Sequence, residues 1–517
     1  MRLHNQGIEE LLLSLFNYQR IGRTLNSMKS TATHVAVIGS GFAGMGVAIQ
    51  LRRAGFDVTI LERAGKVGGV WRDNNYPGAA CDVQSHVYSY SFAPNPEWNH
   101  TFARRGEIQA YLEQIADDYG LRPHLRLNSP VDEAHWDRAQ SKWRLGTADG
   151  EIVADHMVVA TGALADPVVP QLPGLTSFTG PVFHSARWDH SFDVTGKRIA
   201  VVGTGASAIQ FVPAIQPKVK QLTLFQRTAP WVMPRHDGPI SGWRKVLFRA
   251  LPVLQYAERT RIFAERELMV YAFRFPVAMK IAERAALKHL ESQVSDPALR
   301  AKLTPDYRLG CKRILLSNDY WAALDQPNAD VVTSGIREVN ENGVIDNDGV
   351  LHEVDVIILG TGFKTDGLPL TDRIHGPDGQ TMAQAWGDSP RAYLGTTVAG
   401  FPNAYLMHGP NIGLGHNSVI EMFENQTTYI VDAVRYCRDH RVAEIEPTSQ
   451  AQAEFAAEVD KLTEGSVWTS GGCTSWYLDA TGRNSNLWPS TTIAYRLKTR
   501  RFRPADHNLT FSRELTA

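Results

Sequence analysis

The stretch His34-Val-Ala-Val-Ile38 runs directly into Gly39-Ser-Gly41-Phe-Ala-Gly44. A short unbroken β-branched run followed by this glycine spacing predicts a buried parallel strand, a tight turn and a helix entry. The helix carries Val47, Ala48 and Leu51, and a second strand follows at Val58-Thr-Ile-Leu61. The same order returns at Arg198-Ile-Ala-Val-Val202, Gly203-Thr-Gly205-Ala-Ser-Ala208, a helix through Ile215 and a strand at Gln221-Leu-Thr-Leu-Phe225. Two such βαβ units predict an α/β chain with two Rossmann-like dinucleotide-binding domains.

Each glycine has a separate task. The first allows the tight turn, the second lets backbone N–H groups approach a pyrophosphate, and the third lets helix and strand pack closely. The free donors and positive end of the helix then face the phosphates. Glu62 stands 23 residues past Gly39, where a carboxylate bonds ribose hydroxyls. The matching position after Gly203 is Gln226, followed by Arg227 and Thr228. An acid there would repel a 2′-phosphate, whereas a guanidinium binds it. The first site therefore suits FAD, and the second prefers NADPH to NADH.

At 517 residues the chain has room for two or three domains. Its net charge of −1 gives no electrostatic reason to expect nucleic acid or an anionic membrane as a partner. No apolar run reaches the length of a membrane span. Cys81, Cys311, Cys437 and Cys473 are scattered without a C-x-x-C pair. That argues against a disulfide scaffold, a zinc ribbon and a dithiol–disulfide flavoenzyme, and it fits a reducing cytoplasm. No metal site is expected.

Residues 1–32 read as an N-terminal extension, with Leu11-Leu-Leu-Ser-Leu-Phe16 too short and too late for a secretory signal. Met157-Val-Val-Ala-Thr161-Gly162 and Val356-Ile-Ile-Leu-Gly360-Thr-Gly362 look like strands ending where the chain crosses between domains. The expected division is an FAD domain from 33–164 and 386–517 and an NADP domain over 165–385. The latter carries a helical insert at about 241–303, whose apolar stretch from Met269 to Met279 reads as core or lid rather than as a membrane anchor.

Between the glycine turns lies Phe178-x-Gly180-x-x-x-His184-x-x-x-Trp188-Asp189. Earlier comes Gly68-Gly69-Val70-Trp71-Arg72-Asp73-Asn-Asn-Tyr76-Pro77-Gly78-Ala-Ala-Cys81-Asp82. In order and spacing the two resemble the fingerprints of type I Baeyer–Villiger monooxygenases, and the likeness runs from about Thr33 to Trp488. The resemblance implies a flavoenzyme that spends NADPH and O₂ to insert one oxygen beside a ketone carbonyl. It also implies a fixed cation near the reacting oxygen, and arginine suits this because it does not titrate near neutrality.

Cys311-Lys312-Arg313 resembles the segment that carries this arginine. On that match Arg313 is catalytic, Asp82 orients it, and Lys312 meets the 2′-phosphate. Ala43, Val70, Trp71, Arg72, Asp73, Tyr76, Tyr88 and Val131 match FAD contacts. Gly203, Thr204, Gly205, Ala206, Ser207, Ala208 and Gln210 match the NADP phosphate turn, and Trp476 matches an aromatic on a lid over NADP. Phe178, Gly180, His184, Trp188 and Asp189 are expected at the interdomain hinge.

Two departures stand out. Ala80 lies where some relatives carry arginine, and the tail Asp479–Pro489 is more similar to the 4-hydroxyacetophenone-monooxygenase-like branch. Two other readings stay open. A flavin monooxygenase oxidising nitrogen or sulfur shares the cofactors but usually has tyrosine in place of Trp188. A flavin-linked sensor or degenerate oxidase would not need Arg313 and Asp82.

Overall fold

In the computed structural model, residues 33–273, 275–365 and 368–511 are described, so the N-terminal extension lies outside the described residues. Two five-stranded sheets carry the architecture. The first is built from β1 (His34–Ile38), β2 (Asp57–Leu61), β3 (Leu125–Arg126), β7 (His156–Val159) and β14 (Ala404–Leu406). β1 lies between β7 and β2, and β14 closes the far edge on β7. The neighbouring sheet is formed by β4 (Val131–Asp137), β5 (Lys142–Thr147), β6 (Gly150–Ala154) and β13 (Ile374–His375).

The second five-stranded sheet comprises β8 (Val182–His184), β9 (Arg198–Val202), β10 (Gln221–Phe225), β11 (Ala329–Val332) and β12 (Val356–Leu359). All its pairs are parallel, with β9 between β10 and β12. Its inner strands β9, β10 and β12 are largely buried runs of Ile, Val, Leu and Phe, as a parallel sheet covered on both faces requires. The mixed α/β class predicted from the two βαβ units is the observed one.

Two details of the expected division change. The chain rejoins the first unit earlier than 386: Leu368, Leu370, Ile374 and Met382 share a buried cluster with Trp136, Trp143 and Leu145, and Ile374 pairs with Ala134. The fingerprint segment is more than a hinge. Its Val182–His184 forms an edge strand of the second sheet, with Leu359 opposite His184. The crossings themselves run side by side, with Pro167 bridged to Phe363 and the Val168 N–H donating to the Gly362 carbonyl.

The insert is helical, as its composition predicts. It contains α3 (Gly242–Ala250), α4 (Pro252–Ala272) and α5 (Pro276–Gln293). Its α5 packs on the second unit through Leu290, but its α4 clamps onto the first. The Arg259 guanidinium donates to the His86 and Ser89 carbonyls and pairs with Glu421. Tertiary contact thus decides where a helix belongs, which chain order alone does not.

One further correction concerns the cysteines. Cys311 and Cys473 form a disulfide across a sequence separation of 162, while Cys81 and Cys437 are free and buried. Scattered spacing disguised the pair because the two segments meet only in the folded chain. The Arg308 N–H donates to the Gly471 carbonyl beside the bond. Gly471 lies so close that a Cβ there would come within 2.5 Å of the Cys311 Cβ.

Candidate active site

Each glycine turn sits where a strand ends. The Gly39 N–H donates to Leu61 O and the Gly203 N–H to Phe225 O. Gly39 has φ +106° and Gly203 φ +105°, in the region that L side chains avoid. A Cβ on Gly39 would stand 2.4 Å from Ala160 O, and one on Gly203 2.5 Å from Gly360 O. The turns are therefore closed against the crossing strands. The middle glycines face the opposite situation. A Cβ on Gly41 would meet only Gly69 Cα at 3.7 Å, and one on Gly205 only Gly360 O at 4.0 Å.

That open room lies in front of two helix starts, α1 (Phe42–Arg53) and α2 (Ala208–Ile215), and neither has a side-chain cap. Uncapped N–H donors beside open space fit the phosphates of a dinucleotide. Both cradles thus accommodate the expected cofactors.

Around the first cradle, Glu62 is buried and accepts from Ser40 N–H, Ser40 Oγ and Ala64 N–H. Arg72 bridges Glu62 at 3.0 Å and Asp73 at 2.7 Å, so three expected contacts form one ionic group. Burial opposes the charge on Arg72, but the two carboxylates outweigh it and raise its pKa. Val70 opens the short helix Val70–Asp73. Trp71 donates from Nε1 to the Tyr88 hydroxyl at 3.1 Å. Ala43 is buried on α1, and Val131 opens β4 with its side chain in the buried cluster there.

At the second cradle, Gly205 and Ala206 are exposed, Ser207 is the helix N-cap residue, and Thr204 donates to Thr228 O at 3.0 Å. Gln226 points away from it, donating to Lys302 O. Arg227 is exposed. Lys312, over the Tyr307 ring, has its pKa lowered by burial and by the Arg227 charge, against a smaller pull from Asp306. Residues 85 positions apart in the chain therefore bring two cations within electrostatic reach, which is the charge pattern a 2′-phosphate would stabilise.

The two units touch through these motifs. Gln210 Nε2 donates to Ala80 O at 3.0 Å, and Tyr76 donates to Gln210 Oε1 at 3.0 Å. Gly78 lies so near that a Cβ would come within 2.5 Å of Gln210 O. Trp188 packs on Phe211 with ring centroids 5.4 Å apart, and Phe211 on Tyr76 at 6.1 Å. His184 and Phe178 are buried, a Cβ on Gly180 would meet Asp355 O, and Asp189 caps Ser191. The fingerprint is thus wired to the Gly68–Asp82 motif by aromatic contact, with Phe178, His184 and Trp188 buried.

Asp82 and Arg313 meet across 231 residues. Arg313 donates from Nε at 2.9 Å and from Nη2 at 2.6 Å to the same Asp82 Oδ2. Burial opposes the Asp82 carboxylate, but the guanidinium prevails and holds its pKa below the ordinary value. Asp82 in turn raises the pKa of Arg313. The result is a cation that stays charged and is fixed in direction.

Sequence reading missed two features of this centre. Arg266 of α4 adds a second positive charge facing Asp82 and Arg313, and burial lowers its pKa. Nothing marks it within a helix rich in arginine. Tyr477 lies beside Arg313, and burial pushes its hydroxyl up to about 12. Trp476, its neighbour, stays partly exposed, with its ring tilted against that of Tyr477 at a centroid distance of 4.6 Å. The disulfide ties this segment to the one bearing Arg313.

Residues 32–374 match the family described as flavin-binding monooxygenase-like. The chain belongs to that family. A Baeyer–Villiger monooxygenase of Streptomyces coelicolor is 52% identical over 479 residues, covering 92% of each chain. An oxidized steroid monooxygenase bound to NADP superposes with TM-score 0.82 at 30% identity, covering 93% of this chain and 100% of that one. A solved OTEMO complex with FAD and NADP gives 0.83 at 27% identity, with the same coverage. Within the flavin-binding monooxygenase-like family, the chain therefore stands with the Baeyer–Villiger enzymes. Among the described residues, no helix is long and apolar enough to cross a membrane.

Proposed function

We infer that this protein is an FAD- and NADPH-dependent Baeyer–Villiger monooxygenase, inserting one atom of O₂ beside a ketone carbonyl to give an ester or lactone. The observation that carries the reading is the Arg313–Asp82 pair in a chain that also has two open phosphate cradles. Reduced FAD supplies the oxygen activation, and NADPH supplies the electrons.

The protein's residues then have distinct tasks. Gly39–Gly44, Glu62, Val70–Asp73, Tyr76 and Tyr88 hold the flavin nucleotide, with Val131 at the margin. Gly203–Gln210, Arg227, Thr228 and Lys312 hold NADPH. Arg313 stabilises negative charge at the reacting oxygen without donating a proton, since its pKa is raised rather than lowered. Asp82 fixes its direction. Trp476 and the segment around it shield the centre from water, which would waste the activated oxygen. Trp188, with Phe211 and Tyr76, transmits movement of one unit to the other. A protein drawing on NADPH fits a cytoplasmic setting.

N- or S-oxygenation uses the same cofactors, but the tryptophan at 188 and the Baeyer–Villiger relative favour the ketone reaction. The test is incubation of FAD-loaded protein with NADPH, ¹⁸O₂ and a ketone panel. Ester or lactone carrying a single labelled oxygen is expected, and it should vanish in Arg313→Ala while NADPH oxidation remains measurable. Hydrogen peroxide from every ketone, with S- or N-oxides from nucleophilic substrates, would overturn the reading.

A further inference from the structure

We propose that the elbow between α4 and α5 docks on an anionic lipid bilayer surface. Five large apolar side chains project there: Leu268, Tyr271, Phe275, Val277 and Ile281, each between 52% and 70% exposed. They fall within 14 residues, at the end of one helix and the start of the next. The elbow has already satisfied its own packing. Val270, Phe273 and Met279 are buried, the latter two against Trp231, Tyr307, Leu309, Cys311 and Trp468. The outward set is thus a second apolar face, and it projects from a helical turn. An exposed apolar set at the junction of two helices suits insertion between lipid headgroups.

Charge selects the occupant. Residues 241–303 contain twelve Lys and Arg against six Asp and Glu, a net of +6 within a chain of net −1. The whole-chain balance, which gave no reason to expect an anionic membrane, therefore conceals a basic module. On α5 the exposed face runs Val277, Lys280, Ile281, Arg284, Lys288. The spacing puts apolar residues at the tip and cations in a collar behind it. Among the described residues, Lys280, Arg284 and Lys288 form no salt bridge. Unpaired cations behind an apolar tip match an anionic interface, where headgroup phosphates meet the collar as the tip enters the acyl boundary.

This inference does not depend on the reaction. Its consequence for substrate supply does rest on the proposed function. The inward residues of the elbow pack against Leu309 and Cys311, two residues from Arg313. Docking sets that centre close to lipid, where an apolar ketone concentrates.

The test uses full-length FAD-loaded protein and flotation with phosphatidylglycerol–phosphatidylcholine vesicles, with pure phosphatidylcholine as control. Binding is expected to the anionic vesicles and to fall with added salt. Phe275→Ser with Ile281→Ser should weaken it about tenfold or more. Lys280→Glu, Arg284→Glu and Lys288→Glu should each weaken it about fivefold or more. These side chains are exposed, so NADPH oxidation without vesicles should stay unchanged and report intact folding. No binding, or binding indifferent to both sets of variants, overturns the proposal. So does a serine variant that turns a dimer into a monomer without altering flotation, since the elbow would then be an interface between two copies.

Discussion

Replacing Arg227 with alanine should separate the two nicotinamide cofactors. NADPH and NADH differ only in the 2′-phosphate, so a residue that meets this group changes KM for one and leaves the other alone. A charge-assisted hydrogen bond is worth about 1.5–3 kcal/mol. Arg227 is exposed, which favours the lower half of that range, about 1.5–2.2 kcal/mol, and corresponds to about 10- to 40-fold in KM for NADPH. Lys312→Ala should act in the same direction by a similar factor, while KM for NADH stays within about twofold in both variants. Steady-state kinetics with each cofactor reads this directly.

The structure adds a finer test. Burial and the Arg227 charge together lower the pKa of Lys312. Removing Arg227 therefore raises it. NADPH binding is lost as pH rises through the Lys312 pKa, so the alkaline rise in KM should move to higher pH in Arg227→Ala. Equal losses for NADPH and NADH, or an alkaline limb that moves down, would refute the assignment of these cations to the 2′-phosphate.

Two other predictions concern the framework. Gly203→Ala forces a Cβ to 2.5 Å from Gly360 O at a φ of +105°, and should lower stability by about 1–3 kcal/mol. Gly205→Ala meets nothing nearer than 4.0 Å, so it should leave Tm unchanged and instead raise KM for NADPH; the reverse pattern in thermal unfolding and kinetics would show the cradle misassigned. Cys473→Ser opens a loop of 162 residues, and loop-closure entropy sets a ceiling of about 5 kcal/mol on the loss. Thermal unfolding should show a lower Tm in the variant, and dithiothreitol should shift the wild type but not the variant; an unchanged Tm in both would show that the bond does not form in solution.

Features written in local spacing were legible in the sequence. A strand, a glycine turn and a helix occupy adjacent residues, so His34–Arg53 and Arg198–Ile215 declare their geometry without help from the rest of the chain. Arg313 and Asp82 are 231 residues apart, and only resemblance linked them. Arg266 had no signal, because an arginine facing the Asp82–Arg313 pair looks like any other on an arginine-rich helix. The same limit applies to Cys311 and Cys473, which meet only in the folded chain. The 22-residue helix Val419–His440 was hidden for another reason. Its β-branched and polar residues favour a helix only weakly, and packing against α1 stabilises it where propensity does not.

This division between local and long-range information explains how the molecule is built. The phosphate cradles are rigid because close backbone contacts impose them: Gly39 on Ala160, and Gly203 on Gly360. The cation is positioned differently. Arg313 takes its direction from Asp82, its electrostatic surroundings from Arg266, and its covalent restraint from the disulfide two residues before it. Those groups come from four separate stretches of chain, two of them in or beside the helical insert and the Trp476 segment. The cofactor sites can therefore persist while the reacting centre is reshaped. Changes in the insert or the 473–477 segment should alter oxygenation and its coupling to NADPH before they alter cofactor affinity.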